Sequence, residues 1–229
     1  MKIAIMQPYF LPYIGYWQLL ASVDKFVVYD DIQYTKKGWI NRNRYLSASG
    51  KVETFTIPIK KDSDYLDVRE RFISPTFLKE RTKLLNKIRE SYRKSPNFNE
   101  GYQLFSDILL NEEDNLFLFI LNSIEKIKLY LGIDTEIELS SSLDNRNLKA
   151  QERVIDSCVK LGGKNYINPP GGRDLYNESD FQAQGLTLEF LDVSLKSYSQ
   201  VQVAEFEPAL SILDVIFNVP QDKLMDYLV

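Results

Sequence analysis

Short apolar runs and helical repeats alternate along the chain, beginning with an apolar run at residues 3–6. An uninterrupted run of this length is typical of a strand buried on both faces. Pro8 and Pro12 then exclude regular structure, because proline lacks an N–H and restrains the residue before it. Apolar residues return at helical spacing from Ile14 onward. The pattern predicts a strand, a tight aromatic loop and a helix.

Further strands are predicted where apolar or β-branched runs recur. The fold class that follows is α/β, with a parallel Rossmann-like sheet whose central strand is residues 2–6. A hairpin is expected to join residues 44–46 to residues 52–57. The remaining predicted strands are residues 25–29, 67–72, 136–139, 165–168 and 186–191. Helices are predicted at residues 149–161, 207–217 and 221–228.

Three consecutive helices without an intervening strand are predicted between Pro75 and Leu131, where apolar residues keep helical spacing. Gly132 is expected to cap the last of them, since glycine commonly ends helices. We therefore expect an α/β core at residues 1–74 and 132–229, and a helical insertion or subdomain at residues 75–131.

Net charge and the length of the apolar runs indicate which classes of partner the protein is expected to lack. The net charge of −4 argues against a general nucleic-acid surface. No apolar run is long enough to span a bilayer, and the first residues lack the features of a signal peptide. We expect a cytoplasmic protein without a nucleic-acid or membrane partner. A homodimer is compatible with the sequence.

The chain contains no histidine, and its single cysteine, Cys158, lies in an apolar helical pattern that favours packing. Histidine-dependent nucleophiles and zinc sites are therefore excluded. We predict no metal and leave the cofactor unknown. Catalysis would have to use Asp, Glu, Lys, Tyr or backbone groups.

Candidate site residues cluster where the predicted strands end, because open α/β sheets bind ligands there. A second group lies in the loop 34–45, which is too polar for a core strand and too aromatic for a linker. The catalytic candidates are Asp30, Asp31, Tyr13 and Tyr16. The predicted substrate-binding residues are Gln7, Pro8, Tyr9, Gly15, Lys36, Lys37, Trp39, Asn41, Arg42, Asn43, Asn168, Pro169, Gly171, Gly172 and Arg173. Most of this set is expected to line one cleft.

Each of these groups also has a structural interpretation. The aromatic residues of the first loop can be core, and two adjacent acids can form a solvated turn. The loop 34–45 can be a surface hairpin with long cationic side chains. Gly171 and Gly172 can make an ordinary turn with positive φ.

The segment Tyr13-Ile-Gly-Tyr16 resembles the H-x-G-H motif of nucleotidylyltransferases, with tyrosine at both histidine positions. That resemblance implies a Rossmann-like fold. Adenylyl transfer with ATP and Mg²⁺, with the metal held by Asp30 and Asp31, is the corresponding alternative function.

Nearly the whole chain resembles the WbqC-like family. The resemblance rests on residues 6–16, 23–31, 36–44, 167–173 and 210–214. It implies a role in bacterial O-antigen, or lipopolysaccharide, biosynthesis. The activity we favour is transfer of an acyl or aminoacyl group onto a nucleotide-linked amino sugar. A non-catalytic binding component of the pathway is a further alternative.

In the favoured mechanism, Asp30 or Asp31 accepts the amine proton, with its pKa raised by burial and by its neighbour. The helix N-terminus at Gly15–Tyr16 and tyrosine hydroxyls would stabilise the oxyanion. The diphosphate would be held by Lys37, Arg42 and Arg173. The base would stack on Trp39 or Tyr34.

Overall fold

The structure, a computed structural model, describes residues 1–228; Val229, which belongs to the predicted core range, lies outside the described residues. The strands are β1 Lys2–Met6, β2 Lys25–Val28, β3 Arg42–Leu46, β4 Val52–Thr56, β5 Glu136–Leu139, β6 Asn165–Asn168 and β7 Thr187–Phe190. The helices are α1 Ile14–Ala21, α2 Phe77–Tyr92, α3 Phe98–Leu109, α4 Leu116–Tyr130, α5 Ala150–Lys160, α6 Glu178–Ala183 and α7 Ile212–Asn218.

Five strands form one sheet in the order β5-β2-β1-β6-β7, and every pairing in it is parallel. The α/β class and the central position of β1 are confirmed, and the arrangement is Rossmann-like. Side chains alternate across β1: Ala4 faces the larger of two hydrophobic clusters, whereas Ile3 and Ile5 face the smaller. Burial of both faces explains why β1 has no polar alternation.

The predicted hairpin is also confirmed, with β3 and β4 pairing antiparallel. Helices α2, α3 and α4 occupy the predicted helical region, and Gly132 ends it with a φ of 67°. Their buried hydrophobic residues belong to the same larger cluster as those of α1 and as Phe26 and Val28 of β2, and α3 packs on α7. The division into core and insertion stays a prediction.

Three local predictions differ from the structure. Residues 67–72 form no strand; Val68–Glu70 is a 3-10 turn, because Asp67 and Glu70 make a capping box. The helix predicted from residue 207 begins only at Ile212, where the Ser211 side chain accepts a hydrogen bond from the Leu213 N–H. The segment Gln221–Tyr227 is 3-10 rather than α-helical.

Residues 191–211, which we call the C-terminal connector, join β7 to α7 and contain no helix or strand within the described chain. Side chains from the rest of the chain form hydrogen bonds with the connector. The Gln18 amide donates to the Ser194 carbonyl at 2.8 Å and accepts from the Ser194 N–H at 3.2 Å. Near its end, the connector pairs with the first loop and with β3 through Ser211.

Candidate functional site

The carboxyl end of β2 carries the densest group of charged side chains near the sheet. Asp30 and Asp31 follow the strand and are both buried. The Arg153 guanidinium lies 2.7 Å from each carboxylate oxygen of Asp31, and its side chain is only 9% exposed. The Ser140 hydroxyl also donates to Asp31. A single nitrogen, Nη2, makes both contacts with Asp31, while Nε of Arg153 donates to the Asn145 side chain, so the guanidinium is held by charge-assisted and neutral partners together.

This contact changes the titration of Asp31. Burial alone would raise the pKa of the carboxyl, but the hydrogen bonds from Ser140 and Arg153 outweigh it and lower the pKa below its ordinary value. The expected rise in pKa is therefore wrong for Asp31. A carboxylate held in this way is suited to anchoring Arg153 and poorly suited to accepting a proton.

Asp30 is held mainly by the segment that follows β5. Its Oδ1 accepts from the Ser140 hydroxyl at 3.0 Å and from the Ser141 N–H at 2.9 Å. The Arg69 guanidinium lies 3.7 Å from Oδ2. Ser140 thus joins the two adjacent aspartates, and the solvated-turn interpretation of residues 30–31 is excluded by their burial.

A third carboxylate, Asp67, stands beside this pair and was not foreseen from the sequence. Burial raises its pKa, although the nearby Arg146 guanidinium opposes the shift. Arg146 lies 2.6 Å from Oδ2 as an ion pair, but that oxygen has no aligned hydrogen-bond donor among the described residues. Arg146 itself is 59% exposed, so the carboxylate of Asp67 is paired with a side chain that lies largely in solvent.

These groups border a cavity of about 610 Å³, which we call the charged cavity. Asp31, Arg146 and Arg153 lie in its wall, and Asp67 is ion-paired with Arg146 without lining the cavity itself. The other lining residues are Tyr29, Ile32, Gln33, Leu148, Lys149, Ala150, Gln151, Val154, Leu175 and Tyr176. The Tyr29 ring carries Arg153 at 5.1 Å, and burial raises its pKa to about 12. The cavity therefore combines cations, carboxylates and aromatic rings.

A second cavity, of about 210 Å³, lies by the loop between β1 and α1, and we call it the aromatic cavity. It is lined by Tyr9, Pro12, Tyr13, Trp39, Asn43, Arg44 and Ala209. Tyr9 and Tyr13 pack against the larger hydrophobic cluster, whereas Tyr29 and Tyr176 pack against the smaller one. The two cavities thus adjoin mainly opposite faces of the sheet; Ile32, which lines the charged cavity, packs against the larger cluster.

The aromatic residues of the first loop divide between this cavity and the core. Tyr9 and Tyr13 are half-buried cavity residues, whereas Phe10 and Tyr16 are fully buried. The Tyr16 hydroxyl donates to the Gln7 carbonyl at 3.3 Å, and its ring packs on Phe26. Tyr16 is therefore placed as a core residue, and Pro8 is buried as well.

Gly15 is required for the position of Tyr13. A Cβ on Gly15 would lie 2.6 Å from the Tyr13 ring, so the ring rests directly on the first turn of α1. The ring covers this turn, which makes the predicted oxyanion site at Gly15–Tyr16 unsuited to a ligand. The Tyr16 N–H itself donates to the Tyr13 carbonyl at 3.0 Å.

In the loop before β3, Trp39 is the residue that reaches a cavity. Its ring is 43% exposed and lies 5.2 Å from the Arg42 guanidinium and 5.8 Å from that of Arg44. Arg42 is itself tied to the carbonyls of Lys37 and Gly38. Arg42 therefore contacts the Trp39 ring and does not line either cavity.

Several predicted binding residues hold the backbone together. Asn41 accepts from the Tyr34 hydroxyl and donates to the Ile57 carbonyl, and Asn43 donates to the carbonyls of Phe10 and Leu11. Lys36 pairs with exposed Asp64 at 2.6 Å, and Lys37 is exposed. The loop 34–45 is therefore partly the surface structure described by the alternative interpretation.

Gly171, Gly172 and Arg173, after β6, do not line either cavity, although Leu175 at the end of the same turn lines the charged cavity. Residues 170–175 form a 3-10 turn that follows half-buried Pro169, and neither Gly171 nor Gly172 has a positive φ. Gly172 is needed because a Cβ would overlap the Asn168 amide. Arg173 lies over the Phe190 ring at 4.6 Å. The structure therefore does not bring the predicted set into one cleft.

Backbone strain coincides with the two cavities. The non-glycine residues with positive φ in residues 1–228 are Leu11, Asp144, Ala150 and Ala209, with values of 46–54°. Ala209 lines the aromatic cavity and Leu11 precedes its Pro12, whereas Ala150 lines the charged cavity and Asp144 begins the loop that enters it. Such conformations are unfavourable by about 1–3 kcal/mol each and cluster at binding sites.

A buried carboxylate that the sequence did not single out as functional secures the C-terminal connector. Asp214, at 0% exposure, accepts hydrogen bonds from Tyr92 and Tyr198 at 2.8 Å and from Gln200 at 2.7 Å. Burial raises its pKa, and the hydrogen bonds oppose the shift. The three donors are neutral, and they join α2 and the connector to α7.

Within residues 1–228 no group of three or more acidic or cysteine side chains is arranged to hold a metal ion, and no helix is long and apolar enough to cross a membrane. Around Asp30, Asp31 and Asp67, three arginines occupy the positions next to the carboxylates.

The sequence matches the WbqC-like protein family over residues 7–226, which includes both cavities. The chain belongs to the WbqC-like protein family. The protein Rv1507c of Mycobacterium tuberculosis, described as uncharacterized, is 33% identical over 231 residues, covering 99% of this chain and 97% of that protein. No solved structure matches the chain at a significant level. The WbqC-like resemblance is confirmed; these comparisons do not support the nucleotidylyltransferase motif.

Proposed function

We propose that this WbqC-like protein is a transferase of bacterial surface-polysaccharide biosynthesis that moves an acyl or aminoacyl group onto a nucleotide-linked amino sugar. The observation that carries the proposal is the charged cavity at the carboxyl end of β2. It presents Arg146 and Lys149 beside two tyrosine rings, and it is large enough for a nucleotide-linked sugar.

The phosphate groups would be held by Arg146 and Lys149, whose side chains are exposed. Arg153 contributes less directly, because its guanidinium is committed to Asp31. Tyr176 and Tyr29 supply apolar ring faces at the same cavity, and such faces stack on a base or a sugar. The proposed anchoring role thereby moves from the loop 36–42 to the loop that precedes α5.

Asp67 replaces Asp31 as the proposed proton acceptor. Its pKa is raised, which brings the carboxylate closer to the working pH, and displacement of Arg146 by a phosphate would uncover Oδ2. The sugar amine would attack the carbonyl carbon of the donor and form the new C–N bond. The bond to the donor's leaving group would break, and Asp67 would take the amine proton.

The first test is a thermal-shift screen with dTDP, UDP, GDP and ATP, each with and without Mg²⁺. A ligand at about 100 times its dissociation constant adds about 2.7 kcal/mol to the unfolding free energy. We expect a response to a nucleoside diphosphate without metal. A response to ATP only with Mg²⁺ would favour adenylyl transfer instead.

Matched cation deletions locate the phosphate site. Lys149→Ala should weaken nucleotide binding, whereas Lys36→Ala, which removes an exposed lysine paired with Asp64, should leave binding unchanged. The opposite result would return the site to the loop 36–42.

Asp67→Asn tests the proton acceptor in an assay with a nucleotide-linked amino sugar and candidate donors. Loss of a general base should lower turnover about 10²–10⁴-fold while nucleotide binding survives. Normal turnover in Asp67→Asn contradicts the assignment. A wild-type protein that binds nucleotide but is inert with all donors would favour a binding component.

A further inference from the structure

The aromatic cavity has the chemistry of a ligand site that is separate from the charged cavity. The two share no lining residue. Three of the aromatic cavity's walls are the rings of Tyr9, Tyr13 and Trp39, and Arg44 is its one charged lining residue. Its volume of about 210 Å³ corresponds to roughly seven waters, so it suits a single ring or a short chain.

The walls are held in place before any ligand arrives. Arg42, fixed to two backbone carbonyls, supports Trp39, and Gly15 allows the Tyr13 ring to rest on α1. The Tyr9 hydroxyl donates to the Gln7 side chain at 3.0 Å. Walls that are already ordered lose little side-chain entropy on binding, which favours a specific ligand over a transient contact.

Arg44 sets the charge preference of the cavity. In residues 1–228 its guanidinium makes one hydrogen bond, from Nη2 to the Ala209 carbonyl at 3.0 Å. A guanidinium carries five N–H donors, so most of its donor capacity remains for a ligand. Because no acidic residue lines the cavity, a cationic ligand would be repelled by Arg44 and would find no carboxylate to pair with. A planar carboxylate matches the guanidinium in both charge and shape.

We infer that the aromatic cavity binds a small organic carboxylate with an apolar or aromatic body, whose anionic end contacts Arg44 and whose body lies between Trp39 and the two tyrosines. A ligand that carries a free ammonium group is disfavoured. This site does not depend on the function proposed for the charged cavity.

Three probes of nearly equal size separate charge from ring stacking: benzoate, benzamide and benzylamine. Saturation-transfer NMR on the full chain, with each probe at up to about 10 mM, detects even millimolar binding. We expect transfer to benzoate, at least about tenfold weaker affinity for benzamide because the charge-assisted contact is lost, and no specific transfer to benzylamine. Equal transfer to benzylamine, or none to benzoate, overturns the inference.

Variants place the bound benzoate. Trp39→Ala removes an exposed ring and should abolish binding without unfolding the protein. Arg44→Gln should reduce benzoate affinity to that of benzamide, while Arg44→Lys should retain part of it. Gly15→Ala displaces the Tyr13 ring and should weaken binding several-fold.

Lys149→Ala, in the charged cavity, is the matched control and should bind benzoate like the wild type. Loss of benzoate binding in Lys149→Ala with retention in Trp39→Ala would assign the carboxylate to the charged cavity and reject the inference. Failure of nucleotides to bind leaves the benzoate result unaffected, so the two proposals fail separately.

Discussion

The charged cavity and the aromatic cavity adjoin mainly opposite faces of one sheet and are stabilised in different ways. Around the charged cavity, carboxylates are matched by arginines that come from residues 69, 146 and 153. Around the aromatic cavity, ring packing and arginine contacts to backbone carbonyls hold the walls, and Asp214, the buried carboxylate that secures the connector, has neutral donors. The difference predicts distinct responses to mutation and to pH.

The largest expected effect is that of Arg153→Met. It leaves Asp31 buried without its cation, which should lower the unfolding free energy by about 3–5 kcal/mol. Denaturant unfolding provides the measurement. The double variant Arg153→Met/Asp31→Asn should recover much of the loss, since replacing both partners removes the uncompensated charge. Lys83→Ala, at an exposed ion pair, should change stability by less than about 1 kcal/mol. A small effect of Arg153→Met would contradict the buried pair.

On the aromatic side, Asp214→Ala should be less damaging, at about 1–3 kcal/mol, because it leaves neutral donors unsatisfied but no buried charge. Its distinguishing effect is on the C-terminal connector. We expect limited proteolysis to cleave residues 191–211 faster in Asp214→Ala than in the wild type. Cleavage at the wild-type rate would show that Tyr198 and Gln200 do not hold the connector.

Lowering the pH should change the contributions of Asp31 and Asp214 to the unfolding free energy in opposite directions. Both changes should be smaller than those caused by Arg153→Met or Asp214→Ala. The folded pKa of Asp31 is lowered, so its contribution is present above its unfolded pKa near 3.9 and is lost as pH falls through the folded pKa. The folded pKa of Asp214 is raised, so protonation between that pKa and about 3.9 stabilises the folded state relative to higher pH.

The corresponding measurement is the unfolding free energy of the wild type, Asp31→Asn and Asp214→Asn between about pH 7 and pH 3. The stability advantage of the wild type over Asp31→Asn should shrink as pH falls. The unfolding free energy of the wild type should increase relative to that of Asp214→Asn as pH falls. If the stability difference between wild type and variant changed in the same direction with pH for Asp31→Asn and Asp214→Asn, the predicted difference between the two carboxylates would be wrong.

The smallest effect is expected at the strained alanines. Ala209→Gly and Ala150→Gly each relieve a positive φ, but glycine adds unfolded-state entropy, so we expect a net gain of about 0.5 kcal/mol. Ala209→Gly should also weaken benzoate binding, whereas Ala150→Gly should not. Identical ligand affinities in the two variants would show that strain at residue 209 does not shape the aromatic cavity.

Local signals were sufficient for the sheet. The runs at β1 and β2 are apolar because both faces are buried, and the β3–β4 hairpin follows from β-branched alternation. Where two local signals competed, the weaker was chosen: the Asp67-x-x-Glu70 spacing of a capping box was present in a segment predicted as a strand. Because the segment was predicted as a strand, Asp67 was not recognised as a candidate site residue.

Long-range partners could not be inferred from the sequence. Arg153 meets Asp31 across 122 residues, and Asp214 meets Tyr92 across 122 residues. One signal was available for Arg153: it shares the buried helical face of Ser157 and Val154, where an arginine requires a counter-charge. Sequence alone also could not divide the strand-end residues between two cavities, because that depends on which face each loop follows.

Because Ala209 lines the aromatic cavity, this cavity cannot form until the C-terminal connector has folded. The lining of the charged cavity is complete once residues up to Tyr176 are in place, whereas the aromatic cavity needs Ala209 at the end of the connector, where Ser211 bonds to the Leu11 carbonyl. During synthesis the aromatic cavity therefore forms last, by closing a loop of about two hundred residues onto the first loop of the chain. A carboxylate bound there would slow local opening of residues 191–211, and amide hydrogen exchange in that segment would record its occupancy.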